Sequence, residues 1–304
     1  MALEKPKTRL LGRTNLEFPR VWLSLSAPKQ VGQHEALVES AISSGVPVDI
    51  TSHPALWGGY LRGTSAFLTA LSTVDYLHAS DDKRAADFTQ AHLIEVLSAI
   101  GREYIDIYFL RVTSAAEEYQ ISGVLEALEN ARQEGHIRFI GLACDGPSLA
   151  TLGLWQFHDA FDVVLVPRNH NSQESYRTLA PLAAERRVGV VTSRPLNWGY
   201  GLPFVAIPDL WRLGNLTRSF YGISLAQAVV ANLSEDHPVM IGVRTPEEVE
   251  QAIQAGQLTC PDGLMAMLEP FIEAFNSSDL WESLKNSQDP QLSASAKRRA
   301  NDQL

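Results

Sequence analysis

Hydrophobic positions in this chain follow two periods that take turns. Short runs dense in Val, Ile and Leu occur at Val21–Leu25, Val46–Ile50, Val74–His78, Ile105–Leu110, Phe139–Leu142, Val163–Val166, Gly189–Thr192 and Val239–Ile241. Runs of this kind, without strict in–out alternation, predict strands buried on both faces. Between them, segments such as HEALVESAISS, AHLIEVLSAIG, VLEALENARQEG and EEVEQAIQAG place apolar residues at helical spacing. Strand–helix alternation implies a parallel sheet. Eight such units predict a closed (β/α)8 TIM barrel, because an open doubly wound sheet usually stops at roughly five to seven strands. In a barrel of this class the chemistry sits at the C-terminal mouth.

The flanks extend the prediction. TRLLGRTNLEFPR, with Arg-Thr-Asn at its turn, reads as an N-terminal β-hairpin that plugs the opposite end of the barrel. From Pro261 to about Lys285 the amphipathic stretch MAMLEPFIEAF predicts extra C-terminal helices. Residues 286–304 are rich in Ser, Gln, Asp, Lys and Arg, which predicts a polar, disordered tail behind a single barrel domain of residues 1–285. No linker divides the chain further.

Composition narrows the function classes. The formal net charge of −10 argues against a nucleic-acid partner, and Lys297-Arg298-Arg299 is the one basic cluster, within the tail. No apolar run approaches the roughly 20 residues that span a bilayer. The opening MALEKPKTRLLGRTN lacks the apolar stretch of a secretory signal. Two cysteines, Cys144 and Cys260, suit a reducing cytoplasm better than a disulfide framework. After the first strand stands WLSLSAPKQVG, with no glycine-rich phosphate loop, which weakens a Rossmann reading.

Seven segments, in order, resemble those of the aldo-keto reductases. LLGRTNLEFPRVWLS is similar to their LGRTGLxVSRLGLG, VPVDITS to INFFDTA, and GREYIDIYFLRV to LGxDYIDLYLLHW. LEALENARQEGHIRFIGLAC resembles LEALEELVKEGKIRAIGVSN, and FDVVLVPRN resembles PDVVQVPYN. VVTSRPLNWG and MIGVRTPEEVEQAI are similar to VIAYSPLAQG and IPGARSPEQLEENL. The likeness runs from about Arg9 to Gln254. It implies NADPH-dependent carbonyl reduction by an Asp, Tyr, Lys and His at the mouth.

Residue by residue, that implication falters. The Asp is kept as Asp49, ending the second strand. The Tyr position holds Pro54, with Trp57 and Tyr60 nearby. An indole cannot act as the acid, so Tyr60 is the only local substitute. The third strand, read as VDYLHAS, offers Leu77 or His78 in place of the Lys, and the His is replaced by Arg111. Arginine donates to an oxyanion but stays protonated, so it cannot relay a proton. The family's nicotinamide contacts become Ala143-Cys144, Leu165 and Arg168. Each lost hydrogen bond of that kind costs on the order of 1 kcal/mol. The cofactor's diphosphate end is better kept, as Ser193, Arg194 and Leu196 in the loop SRPL and Arg244 after the eighth strand.

Read without the family, the mouth candidates each carry a bland and a sharp meaning. Asp49 suits either hydrogen bonding to neighbouring loops or catalysis. Arg111, Arg168 and Arg194 suit either ion pairing with acids such as Asp49 and Asp145 or a pocket for carboxylate or phosphate. His53, His78 and His170 have no metal-motif spacing, so no metal is expected. Cys144 reads as a small buried hydrophobe. Trp57 and Trp198 either stack on a flat ligand or fill space.

Three functions compete. In the first, a barrel with a degenerate site binds a small ligand, anionic in the sharper reading, through Trp57, His78, Arg168 and Trp198. Across the readings the candidate catalytic groups are Asp49, Tyr60 and Arg111, with Tyr60 serving as acid in the second. The second is an NADP-dependent oxidoreductase with a rearranged proton donor. The third is a non-catalytic interaction or regulatory protein.

Overall fold

The computed structural model describes residues 7–28, 32–170, 173–196, 218–219 and 222–266. Ten strands appear in it. β1 (Thr8–Leu10) and β2 (Glu17–Pro19) form the antiparallel hairpin. β3 (Val21–Leu25), β4 (Val48–Asp49), β5 (Leu68–Leu71), β6 (Ile105–Val112), β7 (Ile137–Cys144), β8 (Val163–Pro167), β9 (Gly189–Ser193) and β10 (Val239–Val243) close a parallel barrel, with β10 pairing back onto β3. The helices are α1 (His34–Ser43), α2 (Pro54–Leu61), α3 (Asp82–Ile100), α4 (Glu118–Gln133), α5 (Ser148–Phe157), α6 (Glu174–Arg186), α7 (Leu225–Leu233) and α8 (Pro246–Gln257). None of the described helices is long and apolar enough to cross a membrane.

Seven strands fall where the apolar runs predict them, and the third does not. The run Val74–His78 is a loop with a 3-10 turn over Asp75–His78, and the strand is Leu68–Leu71 instead. Tyr76 explains the misleading pattern. It is buried beside the barrel rather than in it, and its hydroxyl donates to the Arg111 carbonyl at 2.9 Å. A second revision concerns residues 54–61, which hold the mouth candidates Trp57 and Tyr60. They form α2, started by Pro54 at its first turn, and Gly58 lets this helix lie against α3. A Cβ on Gly58 would sit 1.8 Å from the Ala99 carbonyl oxygen.

The pleat sorts side chains into two layers. Alternate residues Trp22, Ile107, Phe109, Ala143, Val163, Leu165, Val191 and Met240 fill the barrel interior. Their neighbours, such as Val21, Leu23, Leu25, Tyr108, Leu110, Val164 and Val190, pack outward against the helices. The hairpin closes the N-terminal end as expected. Leu11 and Phe18 join the interior cluster, with Phe18 edge-on to Phe67 at 4.8 Å between ring centroids. A Cβ on Gly189 would meet the Leu11 side chain at 2.5 Å, so the plug needs glycine there. Trp198, the predicted C-terminal helices beyond Ala266 and the tail lie outside the described residues.

Candidate functional site

The same alternation that fills the interior sets what reaches the mouth. On β3, Trp22 is followed on its face by Ser24 and then Ser26. On β6, Ile107 and Phe109 are followed by Arg111. On β9, Val191 is followed by Ser193. These polar ends surround a cavity of about 710 Å³, whose further walls come from Asp49, Thr51, Asp145, the turn Arg194–Leu196, Arg244 and the facing sides of α7 and α8. That volume is in the range of small-molecule sites, roughly 300–1,000 Å³.

Asp49 is tied to three strands' ends by hydroxyls. Ser24 donates to Oδ2 at 2.8 Å, while Thr51 and Thr69 donate to Oδ1 at 2.7 and 3.3 Å. Thr51 in turn accepts the Leu71 amide at 2.8 Å. Burial pushes the Asp49 carboxyl above its ordinary value, and the hydroxyl donors offset only part of that rise. The partners are thus three side-chain hydroxyls together with the backbone amide of Thr51, just past the strand.

Opposite stands an arginine–carboxylate cluster. Arg111 donates from Nε to Oδ2 of Asp145 at 2.6 Å, and its Nη2 is ion-paired with the same oxygen at 2.5 Å. Arg194 donates from Nη2 to Oδ1 of the same carboxylate. Asp145 is fixed from behind by its own amide, which donates to the Val112 carbonyl at 2.9 Å. Arg194 holds a left-handed backbone, φ 59°, unusual for a non-glycine residue. Ion pairing with Asp145 therefore holds for two of the three arginines.

The third, Arg168, does not face the mouth. Leu165 points into the barrel, so the residue three positions on points out. Arg168 pairs with Asp236 at 2.8 Å and lies over the Tyr176 ring at 4.1 Å, on the α6 side. Its Nε and Nη1 are buried and have no hydrogen-bond partner among the described residues.

Other predicted residues are displaced for equally local reasons. Trp57 is fully buried under α2, its indole N–H donating to the Ser52 carbonyl at 2.5 Å, and it has no face for a ligand. Tyr60 is 39% exposed on α2 and does not line the cavity. His78 is exposed at the end of the 3-10 turn, also away from it. His53, in a left-handed conformation before α2, borders a separate cleft with His92 and Glu95. Among the described residues no three His, Cys, Asp or Glu side chains are placed to hold a metal ion. Cys144 is buried and its thiol is pushed up by that burial, which makes it a poor nucleophile. Ser193, Arg194, Leu196 and Arg244 do line the cavity, Arg244 giving its amide N–H to Glu248 at 2.6 Å.

Ser24, Ser26 and Thr51 were missed. The signal was present, since WLSLS puts both serines on the inward face of Trp22. The lysine position also moves. With β5 at Leu68–Leu71, the third strand ends on Leu71, which lines the cavity. Leu77 and His78 are therefore not the replacements, though lysine is absent at either place.

No family model matches the sequence, and no curated protein does. Solved structures do. An aldo-keto reductase from Klebsiella pneumoniae in complex with NADPH superposes with TM-score 0.71 at 18% identity, over 88% of this chain and 95% of that one. One from Brucella melitensis gives 0.68 at 13% identity, over 89% and 100%. One from a Medee basin deep-sea metagenome library gives 0.68 at 16%, over 87% and 94%. The chain thus has the (β/α)8 fold of the aldo-keto reductases.

One of these matched structures holds NADPH, and the residues of this cavity would fit the two ends of such a group unequally. Along Ser193–Leu196, Ser224, Gln227 and Arg244 the cavity offers hydroxyls, an amide and a cation, suited to a nucleotide's phosphates. Toward the barrel axis, β7 and β8 present Ala143 and Leu165, neither able to hydrogen-bond a carboxamide through its side chain. No tyrosine or lysine side chain is among the described residues lining the cavity.

Proposed function

We propose that this protein is a diverged relative of the aldo-keto reductases that binds a small anionic ligand at the barrel mouth and does not perform ordinary NADPH-dependent carbonyl reduction. One observation carries the reading: the mouth keeps its cavity and Asp49, yet its other strand ends carry Leu71, Arg111, Ala143 and Leu165. Hydride transfer to a carbonyl needs a proton donor beside the acceptor oxygen and a fixed nicotinamide ring. Among the described residues lining the cavity there is no tyrosine or lysine to serve the first, and Ala143 and Leu165 offer no hydrogen-bonding side chain to the second. Arg111 and Arg194 instead supply guanidinium groups, which suit carboxylates and phosphates. Two buried free cysteines fit a reducing, cytoplasmic setting.

A second reading, an oxidoreductase with a rearranged donor, draws on two Klebsiella pneumoniae aldo-keto reductase structures, one in complex with NADPH and one with NADP and acetate. Its substitute donor, Tyr60, lies outside the cavity, so Tyr60→Phe should leave any turnover intact. The nucleotide end of the cavity remains compatible with NADP binding without reduction. Titration with NADPH and NADP, followed by tryptophan quenching and thermal stability, tests both readings, because a bound ligand raises stability by mass action. Stoichiometric NADPH binding with hydride transfer to an aldehyde would overturn the proposal. Stabilisation by small carboxylates that vanishes in Arg111→Met supports it.

A further inference from the structure

Arg111 reaches the mouth with one edge of its guanidinium already used. Nε and Nη2 are both taken by Oδ2 of Asp145, whereas Nη1 has no partner among the described residues and the side chain is 40% exposed. Asp145 itself is only 13% exposed and receives Arg194 on its other oxygen. Any anion that lands on the remaining edge of Arg111 therefore binds next to a fixed negative charge, on the far side of the same planar group.

We infer, resting on the anion-binding reading above, that Asp145 is the charge selector of the mouth: it disfavours doubly charged anions relative to singly charged ones. The repulsion from Asp145 scales with the ligand's charge, so a dianion suffers it twice. Across roughly 6 Å, with an effective dielectric between the near-surface and bulk-water limits, one unit of charge changes affinity between about threefold and one hundredfold. About tenfold per charge is the central expectation. A purely structural role gives a different pattern. If Asp145 only holds Arg111 in place, removing it alters the affinity for every anion alike.

The ratio of two affinities separates these roles. Methyl sulfate and methyl phosphate have nearly the same shape. Near pH 8 the first carries one charge and the second two, since a phosphate monoester loses its second proton at about pH 6. Calorimetric titration of both into the full chain gives the ratio directly. In Asp145→Asn the methyl phosphate to methyl sulfate affinity ratio should rise about tenfold over the parent protein. Asp145→Ser, equally neutral and smaller, should show the same rise and serves if the first variant does not fold. Asp145→Glu keeps the charge and should keep the parent ratio. A ratio within about twofold of the parent in the neutral variants, with binding still lost in Arg111→Met, overturns the selector while leaving the anion site standing. If neither anion binds the parent protein, or binding survives Arg111→Met unchanged, the anion-binding mouth fails and the selector fails with it.

Discussion

Asp49→Asn isolates the charge of the buried carboxyl at the mouth. Asparagine keeps the shape, and its carbonyl can still accept from Thr51 and Thr69, while the Ser24 hydroxyl can turn to accept from the amide. The geometry therefore costs little, about 1 kcal/mol or less. The ionised side chain is another matter. Three hydroxyl donors stabilise the carboxylate, each by about 1.5–3 kcal/mol, against a desolvation penalty of several kcal/mol for a group only 4% exposed. The balance leaves the folded-state pKa above the ordinary value of 3.8. An acid with a raised folded pKa binds its proton more tightly in the native state than in the unfolded one. Below about pH 4 both states are protonated and the native form has the full benefit. As pH rises through the unfolded value toward the folded one, the parent protein loses about 1.4 kcal/mol per pH unit that Asp49→Asn does not lose.

Urea unfolding of both proteins at several pH values from about 4.5 to 8, followed by tryptophan fluorescence, measures the difference. All other carboxylates cancel between the two. The stability of Asp49→Asn relative to the parent should grow with pH and level off once the native carboxyl ionises. A flat difference would mean that burial does not govern Asp49. A variant that falls behind as pH rises would reverse the sign and show a carboxylate stabilised in its charged form.

Other perturbations test the placements that differ from expectation. Gly58→Ala forces a methyl group into the Ala99 carbonyl and should destabilise the fold by about 1–3 kcal/mol, read from the denaturation midpoint. Trp57→Phe removes the donor to Ser52 and should cost about 1–3 kcal/mol, while anion affinity at the mouth stays unchanged in calorimetry. Arg168→Met breaks the pair with Asp236 outside the mouth. It should change the apparent affinity for small carboxylates by less than about twofold, whereas Arg111→Met abolishes it.

The barrel was legible because its signals are redundant. Eight buried runs, helical spacing between them and the hairpin's turn residues all point to one closed sheet, so misplacing β5 by a few residues left the fold unaffected. The plug was legible because TRLLGRTNLEFPR sets its turn residues, Arg-Thr-Asn, between two short apolar-bearing arms in one stretch. The mouth has no such redundancy. Each of its residues is one position on one strand, and one error of placement removes it. Nearness in sequence to Pro54 put Trp57 and Tyr60 at the site. Folding them into α2, with Pro54 at the start and Gly58 against α3, takes both away.

Where strand ends were placed well, parity decided the outcome. Arg111 follows Ile107 and Phe109 on the inward face of β6, and the structure brings it to the cavity. Arg168 stands just after a strand whose inward residues are Val163 and Leu165, so it belongs to the outward set, and it pairs outside with Asp236. The two arginines look alike as residues that close a strand, and both fill positions where the resembling family has conserved polar or aromatic groups. Period-two counting from the buried aromatic or aliphatic residue separates them without any structure. Applied to the rest of the mouth, the same count selects Ser24, Ser26, Asp49, Thr51, Arg111, Ser193 and Arg244, all of which line the cavity. It also excludes His78, which lies on no strand. Chemistry assigned from residue type alone therefore overstates this site by an arginine and understates it by a wall of hydroxyls. The anion chemistry proposed here depends on two guanidinium groups sharing one carboxylate, not on a ring of three.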